Sequence, residues 1–268
     1  MAMERLLMLE LSAGGCAVEV HLNGMPLAAL GPTGGSVSLA VHEYTLAGRN
    51  ELTLVVGPAA PGVVVASQPR VAIGPTWARA RMVLVRQGQS PADPSARVLG
   101  MAEWATTEGR SFDAPSTHKR DVDLPVNFPR WRWLDAPPIE LGAPVQRVLL
   151  EFLQQLAVEL GRGNPEPLIA AAKLRFDELA VAYQSDVGLD VQRFRDQVQG
   201  LYAAKALKVL PPIADELVLR PLVDGRLIEC LTPAGGPALR TSNDAPDLGE
   251  HAWPIRLAVV EGRIYVLR

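Results

Sequence analysis

The sequence predicts two domains, an all-β sandwich followed by an α+β domain in which three helices precede an antiparallel sheet. Apolar residues alternate at every second position in the first half, recur at every third or fourth position after residue 144, and form hairpin patterns near the end. A length of 268 residues also exceeds that of one typical domain. We therefore assign a sandwich domain to residues 1–126, a linker to 127–143 and an α+β domain to 144–268.

The composition is that of a globular chain and argues against some partners. Hydrophobic residues make up 48% of the chain and charged residues 21%, which provides enough apolar surface for a core in each half. The net charge of -3 gives no broad positive field, so we expect no nucleic-acid partner. Glu10 interrupts the N-terminal apolar run, and no stretch approaches the roughly 20 apolar residues that span a bilayer. We expect a soluble, cytoplasmic protein without a membrane partner.

The first half carries the pattern of short β-strands. Between Cys16 and Leu22 the apolar side chains alternate, and the pair Asn23-Gly24, which a type I′ hairpin turn prefers, follows at once. Many short strands bounded by Gly, Pro or Ser favour a sandwich, and a barrel fits the same signals. The further strands are predicted at residues 37–41, 52–56, 70–73, 78–86, 97–104 and 119–124.

Residues 18–56 resemble the sugar-binding-like jelly-roll domain of glycoside hydrolase family two. The similarity consists of a strand that ends in Asn23-Gly24, a spacer strand, and a strand that begins with the pattern Gly-x-Asn-x-Leu at residues 48–52. The resemblance implies a jelly-roll sandwich that either braces a neighbouring domain or binds sugar. A sugar site needs exposed aromatic rings, and Tyr44 is the one Phe, Trp or Tyr residue in this segment, so we favour the bracing role.

Residues 127–143 interrupt both periodic patterns. Proline lacks the backbone donor that a helix or a central strand requires, and this segment is rich in proline, so we interpret it as a linker. Trp131 and Trp133 are predicted to pack between the two domains, because buried aromatic rings remove a large apolar surface from water. Arg130 and Arg132 leave an alternative, in which the rings stack on a ligand or a nucleic-acid base.

Three amphipathic helices are predicted after the linker. The second begins at Asn164-Pro165-Glu166 and runs to about Tyr183, and Asp190 caps the third after Gly188. The predicted buried stripes are Val145, Val148, Leu149, Phe152, Leu156 and Leu160 in the first helix, Ala172, Phe176, Leu179 and Tyr183 in the second, and Val191, Phe194, Val198 and Leu201 in the third.

Two hairpins follow the helices. Asp224-Gly225 predicts a type I′ turn, and a two-residue turn places Arg220 opposite Glu229 on one face of the sheet. A second hairpin ends the sequence, with Arg256 and Tyr265 on one shared face. Opposite charges in an otherwise apolar hairpin mark this sheet as a candidate site.

Helices followed by an antiparallel sheet resemble the nuclear-transport-factor-like, or SnoaL-like, cone fold in the order of elements over 144–268. The chain departs from that family, which usually inserts a strand before its third helix. The resemblance implies a pocket beneath the helices, and Arg220, Glu229, Arg256 and Tyr265 are then predicted to line it as a site for a small anion or polar ligand. The alternative is a cross-strand ion pair with two solvated ends on the outer face of the sheet.

The residues that usually carry catalysis or bind metal show no recognisable pattern. The four histidines lack short ligand spacings and are predicted to lie at the surface or in turns. Cys16 and Cys230 are predicted to be buried thiols. No nucleophile elbow and no phosphate loop with its lysine occur. We therefore predict no metal, no cofactor and no catalytic residue.

These observations favour a non-catalytic binding or scaffold protein over an enzyme. Its predicted partner is a protein, either a different one or a second copy in a homodimer. Two alternatives stay open, a cone domain with a ligand-binding or enzymatic pocket and a sandwich that binds carbohydrate.

Overall fold

The computed structural model describes residues 5–124, 127–242 and 250–268. These residues form two compact units, one of Met1–Ala59 with Val63–Arg130 and one of Ala60–Gly62 with Trp131–Arg268. All sheets are antiparallel and the helices lie in the C-terminal part, which confirms the predicted order of strands first and helices later. Among the described residues no helix is long and apolar enough to cross a membrane. The predicted domain limits stay predictions.

The first unit is built of β-strands. Two sheets have four strands each, in the orders β4-β1-β7-β8 and β10-β5-β2-β3, and β6 pairs with β9 in a small separate ribbon. The strands are β1 (Arg5–Gly14), β2 (Val18–Leu22), β3 (Met25–Leu30), β4 (Gly35–Ala40), β5 (Gly48–Val56), β6 (Gln68–Val71), β7 (Thr76–Arg86), β8 (Arg97–Thr106), β9 (Ser111–Ala114) and β10 (Ser116–Leu124).

One apolar core lies between the two four-stranded sheets. Alternate side chains of each strand enter it, as the period of two requires. The strand β1, which the sequence pattern did not predict, lies at the centre of its sheet between β4 and β7. The core includes Leu7, Leu9, Leu11, Val18, Val20, Leu22, Leu52, Leu54, Val56, Ala78, Ala80 and Met82.

The predicted turn at Asn23-Gly24 is confirmed. Both residues have positive φ, 53° and 78°, as a type I′ turn demands, and the turn joins β2 to β3. Cys16 is buried as predicted. The prediction for His42 is wrong, because this side chain is buried and its Nε2 accepts a hydrogen bond from the Leu7 N–H at 2.7 Å.

The described residues of the second unit form four α-helices where three were predicted. The predicted second helix breaks at Ala172, which ends one helix and precedes the next with φ near -96° and ψ near 9°. The last helix is capped by Asp186 rather than Asp190, since the Asp186 carboxylate accepts from the Leu189 N–H at 2.9 Å. The helices are α1 (Ala143–Gly161), α2 (Glu166–Ala171), α3 (Lys173–Tyr183) and α4 (Val187–Ala203).

Two predicted buried stripes need correction. In α1, Val148 is 51% exposed, whereas Leu153 and Ala157, which were not in the predicted stripe, are buried. In α3 the buried residues are Glu178 and Ala182. A glutamate occupies a buried position there because a cation pairs with it, and apolar periodicity does not report that arrangement.

The second unit also has two antiparallel sheets. The larger has the order β12-β13-β16-β17, and the smaller has the order β11-β14-β15. Ile228, Cys230, Leu257 and Val266 join Leu149, Leu153 and Leu156 of α1 in one apolar core. The strands are β11 (Val209–Leu210), β12 (Val218–Leu222), β13 (Leu227–Leu231), β14 (Leu239–Thr241), β15 (Ala252–Trp253), β16 (Arg256–Val260) and β17 (Arg263–Val266).

The register predicted for the Asp224-Gly225 hairpin is confirmed. Arg220 lies opposite Glu229, as the two-residue turn requires, and the Arg226 N–H donates to the Val223 carbonyl at 3.1 Å. In the last hairpin Ala258 lies opposite Tyr265, so the predicted pairing of that hairpin is confirmed too.

Candidate functional site

Three of the four predicted site residues meet across β12, β13 and β16. Glu229 lies on the middle strand, and each of its carboxylate oxygens accepts from a different arginine. Arg220 donates to Oε2 from Nε at 2.9 Å and from Nη2 at 2.5 Å. Arg256 donates to Oε1 from Nε at 3.0 Å, and its Nη2 lies 2.9 Å from the same oxygen. We name Arg220, Glu229 and Arg256 the ion-pair triad.

The ion-pair triad lies on the face of the sheet that points away from α1. Ile228 and Cys230, on either side of Glu229 in β13, belong to the core that contains α1. Successive side chains of a strand point to opposite faces, so Glu229 points away from that core. Glu229 is nevertheless only 7% exposed, and the predicted pocket beneath the helices stays a prediction.

Tyr265 shares a face with Arg256. It lies opposite Ala258, which follows Arg256 by two residues in β16, so these side chains are on the same side of the sheet. Its ring lines a shallow cavity of about 290 Å³ together with Arg132, Asp135 and Leu174. The hydrogen bonds of the ion-pair triad given above do not involve Tyr265. The structure therefore groups three predicted residues and places the fourth in a neighbouring cavity.

Trp131 and Trp133 are fully buried, and both belong to the second unit. The Arg268 guanidinium carbon lies 5.6 Å from the centre of the Trp131 ring, a cation–π geometry. Arg268 Nη1 also donates to Glu178 at 2.6 Å, and Glu178 accepts from the Arg132 N–H at 2.6 Å. These contacts fix the tryptophan segment to α3 within this unit, and packing of the rings between domains stays a prediction.

Exposed apolar side chains concentrate in one segment of the first unit. Val64 is 100% exposed and Ile73 95% exposed, which is unusual for large β-branched residues. The segment carries one charged residue, Arg70, between positions 63 and 73. We name its exposed side chains the valine surface: Val63, Val64, Val65, Val71 and Ile73.

An exposed tryptophan lies on the outer face of the sheet that contains β7. Trp77 is 39% exposed, and a Cβ added to Gly14 would lie 2.8 Å from its Nε1, so the indole covers that glycine. Arg79 Nε donates to Glu103 at 2.5 Å on the same face. Trp77 lies outside residues 18–56, the segment that resembles the sugar-binding-like domain, and the alternation along β7 places its side chain on the outer face.

The described residues show little reactive chemistry. They contain no group of three or more His, Cys, Asp or Glu side chains that could hold a metal ion. Cys16 and Cys230 are both buried, and burial raises the pKa of each thiol, which leaves little thiolate at neutral pH. Comparison with protein-family models, with curated proteins and with solved structures finds no match to this chain.

Proposed function

We propose that this chain is a non-catalytic binding protein in which a jelly-roll sandwich precedes an α+β cone-like domain. Its partner is a protein, in the first place a second copy of the chain. The single observation that carries the proposal is the valine surface, since monomeric proteins rarely expose five large apolar side chains within eleven consecutive residues.

The strand order supports the jelly-roll part of the proposal. Without the ribbon of β6 and β9, eight strands remain in two sheets of four. If the eight strands are numbered from β8 instead of β1, their order in the two sheets is that of an eight-stranded jelly roll. The jelly roll that we propose for the first unit is therefore circularly permuted.

The composition of the valine surface supports a second copy as the partner. Charged residues are depleted at the centre of protein interfaces, and one arginine among residues 63–73 meets that description. Two copies of a charged patch repel each other, whereas two copies of an uncharged apolar patch bury each other without a complementary partner.

Light scattering across a concentration series tests self-association. We expect a mass of twice 28.8 kDa for the wild type. The double variant Val64→Ser with Ile73→Ser removes apolar area at the surface and should weaken association by about tenfold or more. Val181→Ser, a change at a 57% exposed position in α3, is the matched control and should leave the mass unchanged. A wild type that stays monomeric at about 100 μM excludes a stable homodimer.

A pocket for a small polar ligand at Arg220, Glu229, Arg256 and Tyr265 is the weaker proposal. Both oxygens of Glu229 are already bonded to guanidinium groups, so a ligand would have to break buried charge-assisted hydrogen bonds. We interpret the triad as a structural connection across three strands. A thermal-shift screen with small anions that finds a stabilising ligand, lost on Arg256→Gln, would favour the pocket instead.

Carbohydrate binding is a second candidate function, and Trp77 favours it. An exposed indole on a sheet face offers an apolar plane, and the Arg79 and Glu103 pair beside it offers polar groups. Affinity electrophoresis in gels that contain soluble polysaccharides tests this function. Retarded migration that Trp77→Ala abolishes and Met101→Ala keeps would support it, and equal migration of all three proteins would reject it.

A further inference from the structure

Three arginines that were not singled out from the sequence surround one cavity in the first unit. Arg5 lies at the beginning of β1, Arg86 at the end of β7 and Arg97 at the beginning of β8. All three line a cavity of about 540 Å³, together with Gln89 and Ser95 of the loop that joins β7 to β8. This volume lies in the range of small-molecule pockets.

Strand pairing explains why the three side chains converge. Arg5 lies directly opposite Arg86, and Arg97 lies opposite Leu84, two residues before Arg86. Leu84 in turn lies opposite Leu7, a residue of the core. Because side chains in register share a face, Arg97 lies on the core-facing side in the row of Leu7 and Leu84, and Arg5 and Arg86 continue that side one row further.

This arrangement concentrates positive charge at one end of the sheet. Among the residues that the structure describes, no carboxylate forms an ion pair with Arg5, Arg86 or Arg97. No carboxylate lines the cavity within this described part of the chain either. Like charges directly opposite each other in a sheet are destabilising, so the cluster does not serve the stability of the empty fold.

The loop between β7 and β8 forms an ordered wall of the cavity. The Gln89 side chain accepts from the Arg86 N–H at 2.9 Å and donates to Ser95 Oγ at 2.7 Å. Asp93, the carboxylate of this loop, accepts from the N–H and the hydroxyl of Ser95 at 2.8 and 2.6 Å. The Asp93 carboxylate is therefore bonded within its own loop and is not among the residues that line the cavity.

We propose that Arg5, Arg86 and Arg97 form a binding site for a doubly charged oxyanion, a phosphate group either free or as the ester of a small molecule. Guanidinium groups donate paired hydrogen bonds that match phosphate oxygens, and three of them around one cavity suit a tetrahedral dianion better than a planar carboxylate. The site is concave and local, which suits a small molecule rather than a nucleic-acid backbone.

Isothermal titration calorimetry of the full chain at constant ionic strength tests the site. The probes are inorganic phosphate and glucose 6-phosphate, each titrated to about 10 mM, with chloride as the reference anion. We expect saturable binding of at least one of the two phosphate probes. Tighter binding of glucose 6-phosphate indicates an ester as the ligand, and tighter binding of inorganic phosphate indicates the free ion.

Charge variants locate the binding. Arg86→Gln and Arg97→Gln should each weaken phosphate binding by about tenfold, because each removes a charge-assisted hydrogen-bond donor. The matched control is Arg110→Gln, which removes one positive charge beyond the opposite end of β8 and should change the affinity by less than about twofold. Unfolding midpoints without phosphate show whether each variant folds, and Arg5→Gln replaces one that does not.

Three results would overturn the proposal. The first is no saturable heat with either phosphate probe in the wild type. The second is an equal loss of affinity in Arg110→Gln and Arg86→Gln, which would indicate a general charge effect. The third is tighter binding of a short single-stranded oligonucleotide than of glucose 6-phosphate.

Discussion

Two groups of arginines, one in each unit, differ in what lies on the strand between them. In the second unit Glu229 separates Arg220 from Arg256, and all three side chains are largely buried. In the first unit the middle strand, β7, carries a third arginine, Arg86, between Arg5 and Arg97. All three of these side chains are exposed. The comparison teaches that cross-strand neighbours decide whether an arginine connects strands or stays available to a ligand.

Removing the central carboxylate of the ion-pair triad should have the largest effect on stability and tests this comparison most directly. Glu229→Gln leaves two largely buried guanidinium groups without their countercharge and should lower the free energy of unfolding by about 3–5 kcal/mol. Urea denaturation followed by tryptophan fluorescence measures the change. Glu250→Gln, which removes a partly exposed partner of Arg240, is the control and should cost less than about 1 kcal/mol. Equal losses in the two variants would mean that the triad is not a structural connection.

The buried pair of Glu178 and Arg268 extends the test to a second site of the same unit. Glu178→Gln removes the countercharge of Arg268 but keeps an oxygen that accepts from the Arg132 N–H, so we expect a loss of about 2–3 kcal/mol. The same urea experiment measures it. A loss below that of Glu250→Gln would contradict the importance of this pair.

Introducing a carboxylate among Arg5, Arg86 and Arg97 should make this group resemble the ion-pair triad of the second unit. Arg97→Glu places a negative charge in the row next to Arg5 and Arg86, and should raise the free energy of unfolding by up to about 1 kcal/mol because the sites are exposed. The same variant should no longer bind phosphate. Destabilisation by this change would show that the arginines contribute to folding rather than to binding.

Neutralising one exposed arginine should have the smallest effect on stability. Arg86→Gln should change the free energy of unfolding by less than about 0.5 kcal/mol in the absence of phosphate, since no described residue pairs with its guanidinium. In the presence of phosphate the wild type should gain stability over the variant, because an anion that binds only the native state raises the melting temperature. Thermal unfolding with and without phosphate measures both effects, and a variant that melts far below the wild type without phosphate would contradict them.

The difference between the two groups also explains how much the sequence could predict. The Asp224-Gly225 turn fixes its register locally, so the pairing of Arg220 with Glu229 followed from counting residues away from the turn. The last hairpin fixes the face that Arg256 shares with Tyr265, whereas the pairing of Arg256 with Glu229 depends on β16 lying beside β13. Strand alternation could not predict which face of the sheet α1 covers. The face that carries Glu229 is also largely apolar, because Leu222, Leu227 and Leu231 lie on it.

The arginine cavity of the first unit was out of reach for two physical reasons. The strand β1 carries Leu6 and Met8 on one face and Leu7 and Leu9 on the other, so it shows no alternation. The pairing of β7 with β8 shifts between Met82 and Val83, and alternation counted along β8 then misplaces Arg97. A register that depends on such a shift and on distant strands is set by tertiary structure.

The central place of β1 in its sheet has a consequence for how the first unit is assembled. Leu11 pairs on one side with Val37 and on the other with Ala80, so the sheet is completed only when a distant part of the chain arrives. Folding dominated by such remote pairings is slow. A fragment that ends before Thr76 leaves one edge of β1 without its neighbour, and such an open apolar edge recruits other chains into aggregates.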